Sequence, residues 1–186
     1  FEDDIISYVL EKPCPTLRDK KYHDGFHIIF PDICVETKVQ YFIRDVVLKY
    51  IEDIEQDIFN SEVMKENDIN SIFDENSIYH SPWMMYGSTK NNEECKYDVK
   101  YIFQYNDGDI ENIYSNVIKE IINNNNCDER IVKKLTIEYF TENLSCRKFQ
   151  EGDIVTEVND EYRDLYEKTY SKKIIVGQEI FQSLKE

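Results

Sequence analysis

Residues 28–59 hold the pattern that most restricts the fold. Val35, Val39, Phe42, Ile43, Val46, Val47, Tyr50, Ile51, Ile54 and Ile58 recur three and four residues apart. Lys38, Arg44, Asp45, Lys49, Glu52, Asp53 and Glu55 fill the opposite side. This spacing predicts one long amphipathic helix over 35–59, with Asp32 or Thr37 to cap its start. Immediately upstream, Ile28, Ile29 and Phe30 form a short apolar run stopped by Pro31, which reads as a buried strand. A buried strand leading into such a helix is half of a βαβ unit and places the chain among α/β proteins.

The other elements are shorter. DDIISYVLE (3–11) reads as a helix with acids in its first turn, and 12–24 as a loop. SIFD (71–74) is an apolar step ending in an aspartate, as at a strand end. PWMMYGS (82–88) reads as a strand closed by Gly87. YDVKYIFQY (97–105) alternates like a half-buried strand, with its aromatic residues on one side. Asn106, Asp107 and Gly108 then make a turn. Residues 109–122 and 132–144 have helical spacing, 145–173 are polar and indecisive, and 174–186 begin a further element.

At 186 residues there is room for one domain, or one domain with a tail. A formal charge of -16 argues against generic binding to phosphate backbones or anionic membranes. A local basic groove stays possible, because screening confines fields to about 10 Å. Five cysteines, odd in number and without a CxxC pair, argue against a zinc ribbon and for reduced thiols in an intracellular compartment. No apolar run approaches the ~20 residues a membrane span needs. The chain opens at Phe1 without an initiator methionine, as though cut from a longer protein.

Chemistry concentrates in KYHDGFHIIFP (21–31). Gly25 lets a backbone approach a ligand closely. His27 starts the strand, where its imidazole is held rigidly. The bland reading of such a histidine is a hydrogen-bonded core residue. His23 and His27 have the i, i+4 spacing of a zinc pair, but Gly25 between them removes its helical meaning. Asp74 at a strand end suits a ligand or metal carboxylate, and its bland reading is a turn or cap. Ser88, Thr89 and Lys90 after Gly87 could cradle a triphosphate, although GxxxxGK[ST] is absent and an ordinary polar loop is the alternative. Lys21, one of several paired lysines, is a candidate phosphate contact against a default of solvated surface.

In order and spacing, DGFHIIFP, IFDENSIYHSPWMMYGSTK and YDVKYIF resemble the catalytic core of archaeo-eukaryotic primases. The nearest likeness is the primase domain of the primase–helicases of nucleocytoplasmic large DNA viruses. VLEKPCPTLRDKKYHDG supports it, and TENLSCRKF is faintly similar to the segment between primase and helicase. The resemblance implies an RRM-like antiparallel or mixed sheet flanked by helices. It divides the chain into a catalytic core over 1–125 and a mostly helical extension over 126–186. Gly25-Phe26-His27 matches the family's small-x-His motif, Asp74 its third-motif acid, and Lys90 its phosphate-binding lysine, with Lys21 in a similar role. The family's Asp-x-Asp pair has no match here. Glu2, Asp3 and Asp4 introduce the expected helix and do not end a strand, so that pair is expected upstream of Phe1. Met84 stands where many relatives carry arginine.

By this resemblance the intact protein is a DNA primase. Asp74 and upstream acids would bind Mg²⁺ or Mn²⁺, and His27, Lys90, Ser88 and Lys21 would contact the nucleotide. The implied partners are single-stranded DNA template, nucleoside triphosphates, a helicase part of the same polypeptide and other replication proteins, in the host cytoplasm or virus factory. The chain alone is expected to be inactive. The rival is a non-catalytic scaffold domain of a replication assembly with a primase-like fold.

Overall fold

The computed structural model describes residues 4–58, 68–79, 85–89, 95–124, 128–145, 160 and 162–167. It comprises two compact units interleaved in sequence, and each is described by itself. One is Phe1–Cys34 with Trp83–Asp153, and the other is Val35–Pro82 with Ile154–Glu186.

The first unit is built on a four-stranded antiparallel sheet with the order β4-β1-β5-β6, beside a two-stranded hairpin of β2 and β3. The strands are β1 (Ile5–Glu11), β2 (Thr16–Arg18), β3 (Lys21–His23), β4 (Phe26–Ile29), β5 (Asp98–Asn106) and β6 (Asp109–Asn112). Two helices belong to this unit, α4 (Tyr114–Asn123) and α5 (Glu129–Asn143). The second unit holds α1 (Thr37–Ile58), α2 (Ile69–Ile72) and α3 (Asn76–Tyr79).

The expected antiparallel sheet flanked by helices is present, and the fold is α+β. The βαβ reading takes a split form. β4 and β5 both run antiparallel to β1, so they are parallel to each other with β1 between them.

The segment expected to be an N-terminal helix is β1, one of the two inner strands of the sheet. Ile5, Ile6, Tyr8 and Val9 are β-branched or aromatic and suit a pleated surface. Register explains the packing. Leu10 lies opposite His27 and Val99, and Tyr8 opposite Ile29 and Ile102. These residues share one face, against which Phe140 and Leu144 of the α5 region, Val117 and Ile118 of α4, and Ile113 are packed. The buried Tyr8 phenol is hydrogen-bonded to Tyr139, and burial together with that bond holds its pKa far above the usual range.

Strict alternation predicts Tyr97, Val99, Tyr101, Phe103 and Tyr105 on one side. A bulge overturns this. Val9 pairs with Tyr101 and Leu10 with Val99, which leaves Lys100 unmatched. Tyr97 and Val99 therefore join Ile102 in the core, while Tyr101 and Phe103 stack on each other away from it. β4 is also less buried than expected. It is an edge strand whose Ile29 meets the core, whereas Phe26 is 52% and Ile28 42% exposed.

Two more segments expected to be otherwise are strands. The loop at 12–24 contains the β2–β3 hairpin, turned through Asp19 and Lys20, both at positive φ. Residues 109–112, expected to start a helix, are β6. The expected turn before it is correct, with Asp107 and Gly108 both at positive φ, as a two-residue hairpin of primed type requires. The α5 helix matches expectation and is capped by Asp128, whose Oδ1 accepts from the Arg130 N–H at 3.2 Å.

The long helix is α1, beginning at Thr37. The Glu36 carbonyl accepts its first bonds, and Asp32 lies too far upstream to cap it. Val39, Phe42, Leu48 and Ile51 are buried. Leu48 and Ile51 pack on Ile69 of α2, and Phe42 meets the rings of Tyr162 and Tyr166.

The cysteines also depart from expectation. Cys14 and Cys95, 81 residues apart in sequence, form a disulfide, and Cys34 is free. Cys14 follows β1 and Cys95 precedes β5. Pairing of those strands brings the two together, a proximity that local spacing cannot reveal. Cys127 and Cys146 lie outside the described residues. With two of the five cysteines tied up, thiol titration of the denatured, unreduced chain should find no more than three thiols, rising to five after reduction. Five before reduction would contradict the bond. Among the described residues no helix is long and apolar enough to cross a membrane.

Candidate functional site

In the first unit, two side chains reach the ring of Tyr97, which is only 2% exposed, and a turn is bonded to its backbone. β4 supplies His27, whose imidazole lies 4.5 Å from the Tyr97 ring at an interplanar angle of 49°. The end of β1 supplies Lys12, whose Nζ sits 6.0 Å from the same ring centroid and donates to Thr16 Oγ1 of β2 at 2.9 Å. The segment 85–88 supplies a tight turn. Ser88 N–H donates to the Met85 carbonyl at 2.9 Å, and Gly87 takes φ +73°, the positive value a type II turn needs at its third position. That turn clips onto Tyr97 by two backbone bonds. Gly87 N–H donates to the Tyr97 carbonyl at 2.9 Å, and Tyr97 N–H donates to the Ser88 carbonyl at 3.1 Å. Residues 85–88 were expected to end a strand, and they are this turn instead.

His27 through its ring and Ser88 through its backbone thus both contact Tyr97. Lys21 is exposed on β3, directly after the hairpin turn. Gly25 links β3 to β4, and its N–H bonds the Asp24 carboxylate at 2.8 Å. A side chain added at Gly25 would meet nothing within 4 Å, so crowding inside the chain does not require glycine there. Lys90 and Met84 lie outside the described residues. His23 is exposed on β3, opposite Thr16.

Asp74 belongs to the second unit and is not at a strand end. It follows the helical turn α2 and starts the helical turn α3. Its Oδ1 accepts from Asn76 N–H at 3.0 Å and Asn76 Nδ2 at 2.7 Å, and its carbonyl accepts from the Ser77 hydroxyl at 2.8 Å. An apolar triplet before an aspartate suits either a strand end or a helical turn, and the cap bonds decide for the turn. Arg44 of α1 anchors this segment. Its Nε donates to the Phe73 carbonyl at 2.7 Å, and its Nη1 lies 3.9 Å from Glu75. Arg44, Asp68, Asp74 and Glu75 line an open depression of about 620 Å³.

The described bonds to the Asp74 carboxylate fall on Oδ1, and the side chain is exposed. That suits it to be one hard oxygen ligand for a divalent ion. Among the described residues no group of three or more His, Cys, Asp or Glu side chains could hold a metal. Any metal would therefore need ligands beyond these.

Sequence reasoning missed Lys12, Tyr97 and Arg44 as parts of a site. Lys12 stands between an apolar segment, read as a helix, and a proline, which signals the end of an element and nothing more. Tyr97 reads as strand core. Arg44 sits on the polar face of α1, where nothing in the sequence reveals its grip on a loop 29 residues away.

Residues 1–103 match the family described as C962R protein N-terminal AEP domain, AEP being archaeo-eukaryotic primase. A protein of Acanthamoeba polyphaga mimivirus named as a helicase is 33% identical over 145 residues, 78% of this chain. The chain spans 14% of that relative's length. No solved structure matches. With more than half its length in that match, the chain belongs to the family of C962R-type N-terminal archaeo-eukaryotic primase domains.

Proposed function

We propose that this chain is the nucleotide-handling part of a DNA primase, which makes primers by template-directed nucleotidyl transfer within a viral primase–helicase. The observation that carries the reading is the convergence of His27 and Ser88 on Tyr97 in a chain of this family. His27, fixed on β4, donates to the triphosphate of the incoming nucleotide. Lys90 and Lys21 add positive charge to it, Ser88 adds a short polar contact, and Gly25 leaves space for the phosphates. The work of these groups is positioning and charge neutralisation. Asp74 holds one side of a Mg²⁺ or Mn²⁺ site completed by acids elsewhere in the protein. Such ions, when bound, supply Lewis-acid activation and charge neutralisation at the reacting phosphate. The helicase-named relative supports a helicase part in the same polypeptide, with single-stranded DNA and nucleoside triphosphates as partners.

The test is Mn²⁺-dependent binding of a nucleoside triphosphate to the full-length protein and to its His27→Ala variant. A charge-assisted hydrogen bond contributes about 1.5–3 kcal/mol, so affinity should fall roughly 10- to 100-fold. Equal affinity in the two would favour the scaffold reading, which the lack of a three-ligand cluster among the described residues also favours.

A further inference from the structure

We infer that Lys12 is a positioning residue of the His27 site, acting through Tyr97. This inference rests on the nucleotide reading above. Lys12 is 7% exposed, and Ser7 is the other buried polar side chain among the described residues. Burying an ammonium is unfavourable, whereas a methionine would fill similar space without that cost. Its charged end has the Thr16 hydroxyl and the ring of Tyr97 among its partners. An ammonium over an aromatic ring is attracted by the ring's negative face, more strongly where water is excluded. Lys12 therefore resists rotation of the Tyr97 ring, and His27 rests on that ring.

A second observation points the same way. Cys14, two residues after Lys12, is bonded to Cys95, two residues before Tyr97. The backbone that carries the ammonium is thus tied to the backbone that carries the ring. Lys12, Tyr97 and His27 form one connected unit from three segments far apart in sequence.

The test compares wild type, Lys12→Met, His27→Ala and the double variant. Readouts are Mn²⁺-dependent triphosphate affinity, measured with the same substitutions in the full-length protein, and the NMR signal of the His27 ring in the 186-residue chain, readily assigned because that chain has three histidines. Lys12→Met should weaken triphosphate binding about 5- to 10-fold. It should shift the His27 ring signal as the Tyr97 ring current changes, with the signals of α4 and α5 unmoved. In the His27→Ala background it should have no further effect. Should Lys12→Met fail to fold, Thr16→Val keeps the ammonium but removes its acceptor, and should give a smaller change of the same kind. Wild-type affinity with an unmoved His27 signal in the folded variant overturns the inference, as do losses that simply add in the double variant. If His27→Ala itself binds like wild type, the nucleotide reading fails and this inference with it. If His27→Ala loses affinity and Lys12→Met does not, the role of Lys12 alone fails.

Discussion

Asp74→Asn in the full-length protein should abolish primer synthesis on single-stranded template and leave the fold intact. Both halves of this expectation follow from the bonds around Asp74. Its Oδ1 caps the turn at Asn76, and the Ser77 hydroxyl bonds its backbone carbonyl. Asparagine keeps an equivalent Oδ1 and is as good a cap as aspartate, so stability should change by no more than ~0.5 kcal/mol. Arg44 grips the carbonyl of Phe73 and the side chain of Glu75, and neither is altered. The substitution removes one negative charge and the oxygen that, on the proposed reading, faces the metal. Loss of an outer partner of a metal ligand already costs roughly 10- to 100-fold, so loss of a ligand itself should exceed that. Activity is read as primer length and yield with Mg²⁺ or Mn²⁺, and stability as the thermal midpoint. Near-normal synthesis would leave Asp74 as a turn residue and sink the primase assignment of this segment.

The legible parts of the chain were those whose pattern is long or whose turn chemistry is specific. Ten apolar positions at helical spacing identify α1, because no strand can use a 3.6-residue period over six turns. Asp107-Gly108 identifies its hairpin, because glycine enters the positive-φ region freely and aspartate tolerates it. β1 was illegible for the opposite reason. A seven-residue segment with five apolar residues suits two helical turns or an inner strand, and the acids before it favour the wrong one. Asp4 instead accepts a bond from Gln104 at the edge of the β1–β5 pairing. The bulge at Lys100 changes which aromatic residues are inside, and it is a property of two strands together. The site followed the same rule. His27 could be singled out because a histidine at a strand start is locally visible. Lys12 and Tyr97 acquire meaning only when β1, β2, β4 and the 85–88 turn are assembled.

Phe140→Ala should be the most damaging single truncation in the described core. Phe140 is 1% exposed and lies on α5, well beyond β6, the last sheet strand, in sequence. Its ring meets Tyr8 edge-on at 6.2 Å and Tyr86 at 5.4 Å, so it joins the central strand, the 85–88 turn and the helix layer. Removing it deletes the ring's burial and leaves a cavity whose walls are themselves held, Tyr8 by two neighbouring strands and Tyr86 by the turn closed at Ser88. Such a site cannot collapse easily, which puts the loss at about 3–5 kcal/mol. A domain of this size has only about 5–15 kcal/mol to lose. Urea unfolding at equilibrium would read the difference, with Phe140→Leu as the milder control at under roughly 1.5 kcal/mol. A loss below about 1 kcal/mol, the ordinary result of a point substitution, would mean that α5 lies on the sheet without sealing it. Because Tyr86 also belongs to the turn that clips Tyr97, the same variant should loosen the His27 platform. It should then lower triphosphate affinity even under conditions where the chain is fully folded.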